Sequence, residues 1–208
     1  MRFALPIALA LTTLLGGVAA QAAGVTVSVK DAAGKPLSRA VVSLEPMSGN
    51  AAVRPLPSVE VGQLKRQFAP QVTIVLVGTP VVFTNFDTVR HHVYSFSPTK
   101  PFELKLYAGV PNAPVVFDKP GIAVVGCNIH DQMAAWIAVL DTPLYGLTAA
   151  DGRARIAAVG AGSYRLKVWH PGLANTTDGV VNAITVGAPD MEHAVQLNVS
   201  ADPLVPLP

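Results

Sequence analysis

A second cysteine is missing from this chain: Cys127 is the only one in 208 residues. That excludes an internal disulfide, the usual form of structural cysteine in oxidising compartments. Charge is sparse as well, at 13% of residues, with 15 Lys and Arg against 13 Asp and Glu and a formal net charge of +2. No basic stripe interleaves with aromatic residues, so nucleic acid is not an expected partner. Helical periodicity is almost absent after the N-terminal segment, which argues against a helical domain. No serine sits in a recognisable nucleophile turn, and no His-x-His or His-Cys-His run occurs. Hydrolase triads and multi-copper catalytic sites are therefore unsupported, and no catalytic residue or enzyme activity is expected. Four methionines, the initiator included, are too few for bulk capture of a soft metal ion.

What is present begins with an export-type leader. Arg2 precedes an almost wholly apolar stretch from Phe3 to Val18, and Ala19, Ala20, Ala22 and Ala23 offer small residues for cleavage. The run is too short, and too soon followed by polar strand-like sequence, for a stable membrane span. No cysteine follows it, so no lipid anchor is expected. Residues 1–23 are read as a signal peptide and the mature protein as periplasmic; loss of Arg2 lowers the formal charge to +1.

Short runs rich in Val and Ile then alternate with Gly, Pro and Asp clusters: 25–30, 40–45, 72–77, 81–86, 115–117, 122–125, 136–140, 164–169 and 195–199. The pattern predicts an all-β protein of sandwich type, long enough for two sandwiches. The stretch 97–114 is unusually long between strands, and is expected to be a loop packed over a sandwich face, a cover for the site or a docking surface. Trp136 and Trp169 are expected as core anchors. His170 is expected to end one strand and His193 to begin another, both in structural or surface roles.

The lone cysteine lies in Gly126-Cys127-Asn128-Ile129-His130-Asp131-Gln132-Met133, a Cys-x2-His-x2-Met spacing. A thiolate, an imidazole and a thioether are soft and borderline donors, and two His, one Cys and a distant axial Met form the ligand set of a blue-copper site. The second histidine must come from elsewhere. Upstream, the strand-like run Phe83–Asp87 leads to His91 and His92. Strand alternation directs these two side chains to opposite sides, so both are not expected on one ion. Met133 alone would read as a core residue, and Asn85 and Asp87 read as turn and strand-end hydrogen-bonders. One Cys and two His also accept zinc.

From Gln67 to Val139 the chain resembles the cupredoxins, the small blue-copper electron carriers. The matching elements are Phe68-Ala-Pro, a strand to Gly78, the strand 81–86, Asn85-x-Asp87, His91, Phe117-Asp-Lys-Pro-Gly121 and the Cys-His-Met loop, whose short spacing is similar to amicyanin. The resemblance implies His91, Cys127, His130 and Met133 as ligands of one type 1 copper ion. It places His92 where the family often has Asn, as a hydrogen-bonder outside the ligand set that bridges the ligand strand to the Cys loop. It also implies that His130 breaks the surface within an apolar patch, beside Ile129 and Asp131.

Two further resemblances bear on organisation. The segment Val25–Leu44, with a Gly34-containing turn, resembles the opening of carboxypeptidase regulatory-like (transthyretin-like) domains; its continuation appears only downstream, as Thr148–Ile156 and Gly162–Val168. This implies a cupredoxin Greek-key sandwich at 53–142 inserted into an immunoglobulin-like sandwich built from 24–52 and 143–208; a plain two-domain string is the alternative. The order of the pieces and the phrases His91–Ser97 and Gly126–Asp131 resemble exported bacterial proteins labelled methylamine utilization proteins.

The function so implied is a periplasmic one-electron carrier, with a redox protein such as a c-type cytochrome or a dehydrogenase as partner. Copper storage or delivery, and an accessory interaction module without redox turnover, are the competing readings.

Overall fold

The computed structural model describes residues 23–49, 52–173, 179–187 and 189–199. The leader read at 1–23 lies outside them except for Ala23. Among the described residues no helix is long and apolar enough to cross a membrane.

Among the described residues every regular element but one 3-10 turn is a strand, as the alternating sequence predicts. The N-terminal pair is β1 (Ala23–Lys30) and β2 (Val41–Pro46). Ten strands follow: β3 (Val59–Glu60), β4 (Gly62–Leu64), β5 (Gln67–Ala69), β6 (Val72–Leu76), β7 (Thr79–Val82), β8 (His91–Ser95), β9 (Phe102–Tyr107), β10 (Val115–Phe117), β11 (Gly121–Cys127) and β12 (Ala134–Leu140). Five more are described after these: β13 (Tyr145–Leu147), β14 (Arg153–Val159), β15 (Gly162–Trp169), β16 (Val180–Val186) and β17 (Met191–Gln196).

The pairing divides these strands into two groups. β1 lies between β14 and β17, and β2 lies between β13 and β15, with β16 beyond. Strands from the two ends of the chain thus form one pair of sheets. Period-2 alternation sends Val25, Val27 and Val29 of β1 and Leu166 and Val168 of β15 into a shared core. Thr148 ties the two chain segments: its buried hydroxyl accepts from Ala40 N at 2.8 Å and donates to Leu37 O at 2.7 Å. Thr148→Val leaves both backbone groups unpaired in the interior. It is expected to lower stability by about 1–3 kcal/mol, read as a fall in the urea midpoint at unchanged m-value.

The intervening strands pair among themselves. A five-stranded sheet runs β6-β12-β11-β8-β9, facing β10-β7-β3 and the β4–β5 hairpin. Their core holds Phe68, Phe83, Phe117 and Ile137, and it includes Cys127 and Met133. Phe83 stacks on Phe102 at 5.6 Å and meets Phe68 edge-on at 6.4 Å.

Three expectations need correction. The stretch 97–114 is not a loop: 102–107 is β9, the edge strand paired with β8. Its charged Glu103 and Lys105 alternate with Phe102 and Leu104, and the run lacks a β-branched signature. Of the two tryptophans, only Trp169 is a buried core anchor as expected. Trp169 is buried and Trp136 only partly so, and both lie in a small cluster with Val41, Val72, Ile122 and Ala138 where the two groups of strands meet. His170 is fully buried after the end of β15, and His193 lies within β17, which starts earlier than the apolar run 195–199 suggests.

Candidate metal centre

β11 and β8 run antiparallel, with Gly126 opposite Tyr94 and Cys127 opposite Val93. Continuing that register sets His91 alongside the loop that follows Cys127. The loop closes on itself: Met133 N donates to His130 O at 2.9 Å, and Cys127 N to Met133 O at 3.2 Å. These bonds return the chain into β12 and turn the thiol, the second imidazole and the thioether toward one end of the sandwich.

The imidazole nitrogens and the thiol converge there. His91 Nδ1 and His130 Nδ1 each lie 3.6 Å from Cys127 Sγ. One donor atom from each of the three residues falls within 4.8 Å of the others. Donors bound to one ion at about 2.0–2.3 Å, and spread by about 110–120°, sit roughly 3.5–3.8 Å apart. The donors are therefore already spaced for a shared metal ion. His91 is fully buried, Cys127 and Met133 are nearly so, and His130 is half-buried beside exposed Ile129 and Asp131.

Asp87 sets the tautomer of His91. Its Oδ2 lies 2.9 Å from His91 Nε2. A carboxylate only accepts, so Nε2 carries the proton and the Nδ1 lone pair faces Cys127. The same carboxylate accepts from Lys65 N at 2.7 Å and Arg66 N at 2.9 Å. Burial pushes the Asp87 carboxyl up, but the bonds from Arg66 N, His91 and Lys65 N outweigh it and hold the group below its ordinary value. Lys65 and Arg66 form the two-residue turn between β4 and β5, both with positive φ, 52° and 59°. Such turns favour Asn and Gly; a side chain in that region costs about 1–2 kcal/mol. The sequence marks Asp87 as a hydrogen-bonder but does not show that its partner is His91. The signal available was an acidic residue four positions before His91.

His92 departs from expectation. It does face away from His91, but its Nε2 bonds Glu103 Oε1 of β9 at 2.9 Å and does not bridge to the Cys loop. An imidazole is longer than the Asn side chain and reaches across to the edge strand. Its ring adjoins Tyr94, and Tyr94 adjoins Phe96, along an open groove on the outer side of the five-stranded sheet. Asn85 behaves as expected, donating to Val89 O at 2.8 Å and Tyr107 O at 3.1 Å and accepting from Asp87 N at 2.9 Å.

Tyr107 pairs with His91 across β8 and β9. Its hydroxyl donates to Phe83 O at 2.5 Å and accepts from Gln63 Nε2 at 2.5 Å. Burial pushes the phenol up to about 12, the Gln63 bond pulls it down, and the charge at Cys127 adds to the rise. An unfolded tyrosine ionises near pH 10. The neutral Tyr107 therefore contributes stability that is complete below about pH 10 and lost as pH climbs toward 12. Tyr107→Phe is expected to remove the highest-pH step from a 295 nm titration and to flatten this alkaline loss.

No family model and no curated protein matches the chain. Solved structures do resemble it in part. The copper-containing nitrite reductase of Thermus scotoductus SA-01 is 30% identical over 46% of this chain and 25% of its own, with a TM-score of 0.38. Amicyanin from Paracoccus versutus is 17% identical over 47% of this chain and 98% of its own, TM-score 0.35. A purple cupredoxin from Nitrosopumilus maritimus is 20% identical over 39% and 99%, TM-score 0.33. The chain spans about a quarter of the nitrite reductase.

The donors themselves define the class of site. Two imidazoles and a thiol in one cluster, with a methionine on the same loop, make the donor set of a type 1 copper centre in a β-sandwich.

Proposed function

We propose that this protein is an exported one-electron carrier whose single type 1 copper ion is held by His91, Cys127, His130 and Met133. The observation that carries the reading is the convergence of His91 Nδ1 and His130 Nδ1 on Cys127 Sγ, at 3.6 Å each. Copper, when bound, supplies a one-electron couple. The chain supplies everything that makes the couple fast. Cys127 offers a thiolate at the end of a paired strand, His91 arrives with its tautomer set by Asp87, and the sandwich fixes both. Little needs to move when the charge at the site changes, because the donors rest on β8, β11 and a self-bonded loop. Met133, whose backbone is tied to both Cys127 and His130, would offer its thioether as the fourth and weakest donor. The apolar core below excludes water, while half-buried His130 gives the site an edge on the surface.

The location and organisation belong to the same proposal. The leader-like segment supports export to the periplasm, where a c-type cytochrome or a dehydrogenase would meet the carrier. The pairing of 23–46 with 145–196 supports a cupredoxin-like unit at 53–142 inserted into a second sandwich of 24–52 and 143–208.

Voltammetry of the copper-loaded protein tests the carrier role. A reversible one-electron wave, with copper retained against a Cu(I) chelator over many cycles, is expected. Rapid loss of copper to the chelator on reduction would point to delivery instead.

A further inference from the structure

Three cations crowd the His91 side of the site without a carboxylate of their own. Lys65, Arg66 and Arg90 are exposed, and none forms an ion pair among the described residues. Asp87, the acid they adjoin, spends its oxygens on Lys65 N, Arg66 N and His91 Nε2. Around them stand exposed apolar side chains, Leu64 at 46%, Phe86 at 56% and Val89 at 37%. The other acids of this half have other places: Asp131 lies on the Cys loop, Glu103 on β9 bonds His92, and Glu60 on β3 accepts from the Thr84 hydroxyl.

The turn is costly to build this way. A two-residue hairpin turn with both φ values positive normally takes Asn or Gly, yet here two long cations occupy it, braced from below by Asp87. Strained placement of charge on an exposed turn tied to a metal ligand fits a role in recognition. An exposed aromatic ring and arginines, here Phe86, Arg66 and Arg90, are residue types enriched at protein interfaces, and a polar rim around them is usual.

We propose that Leu64, Lys65, Arg66, Phe86, Val89 and Arg90 form the docking surface for an acidic redox partner, with Asp87 joining that surface to His91. This rests on the electron-carrier reading above. A partner with a carboxylate cluster meets the three cations, is steered onto the His91 end of the sandwich, and exchanges one electron with the copper site there. The Asp131 side of the same end, with opposite charge, sets the orientation.

Two probes test the proposal on the full-length mature protein. Hexacyanochromate(III), a paramagnetic trianion, is added to the protein without copper and followed by NMR. Broadening concentrated on the amides of 64–66 and 86–90 is expected; broadening concentrated at Lys100, Lys119 or Arg153 would overturn the assignment. Hexacyanoferrate(III) then oxidises the Cu(I) protein in a stopped flow, one electron passing from copper to iron. At low ionic strength the Lys65→Glu/Arg66→Glu protein should react about ten-fold more slowly, and Arg90→Glu should move the same way, both differences fading as salt screens the charges. Lys119→Glu, before the far end of β11, should change little. Equal rates in all four proteins with a normal visible band would sink the docking surface but leave the copper site standing. If no visible band forms, the carrier reading fails, and the chromium map still decides where an anionic partner binds.

Discussion

Cys127→Ser is expected to abolish the intense thiolate-to-copper absorption of the loaded protein and the narrow copper hyperfine splitting in its EPR spectrum. Both signatures require a thiolate bonded to copper, and this chain has no second cysteine to substitute. A serine oxygen is a hard, weakly acidic donor in place of a soft one. Copper affinity should fall by more than about 100-fold, beyond the range that follows loss of an outer hydrogen-bond partner. The fold should survive, because a hydroxyl at this position has the imidazole nitrogens of His91 and His130 to bond, each 3.6 Å from the present sulfur. Retention of an intense visible band in the serine protein would contradict the assignment of Cys127.

Phe83→Ala should have the largest effect on stability, about 3–5 kcal/mol, measured by urea unfolding. Phe83 is fully buried at the centre of the sandwich that carries the site, stacked on Phe102 and set against Phe68. Its carbonyl also accepts from both Tyr107 and Gln63, which brace the strand opposite His91. A domain total of about 5–15 kcal/mol leaves little after such a loss, so weakened copper retention is expected alongside. A shift under about 1 kcal/mol would show that this core relaxes around the cavity.

Much of the site was legible because it is local. Cys127, His130 and Met133 share one short loop, and the ligand chemistry of those residue types is specific. Strand alternation set His91 and His92 on opposite sides, and only the cupredoxin resemblance chose between them; His91 is the one that meets Cys127. Asp87 was read for its position and not for its partner, since a bond from carboxylate to imidazole depends on how a loop folds back. The docking cations were invisible for the same reason: Lys65 lies far from His91 in sequence, and only the β4–β5 turn resting on Asp87 brings them together. For the fold, strong β-branched runs marked most long strands. Edge strand β9 was missed because its charged alternate residues look like a loop, and short pieces such as β3 to β5 carry too few residues for any period to show.

Diffraction from copper-loaded crystals at the copper absorption edge tests the central claim most directly. The account predicts one anomalous peak per chain, within bonding reach of His91 Nδ1, His130 Nδ1 and Cys127 Sγ, with Met133 Sδ further off along the axis. A peak bound to other side chains, or none near Cys127, would contradict it.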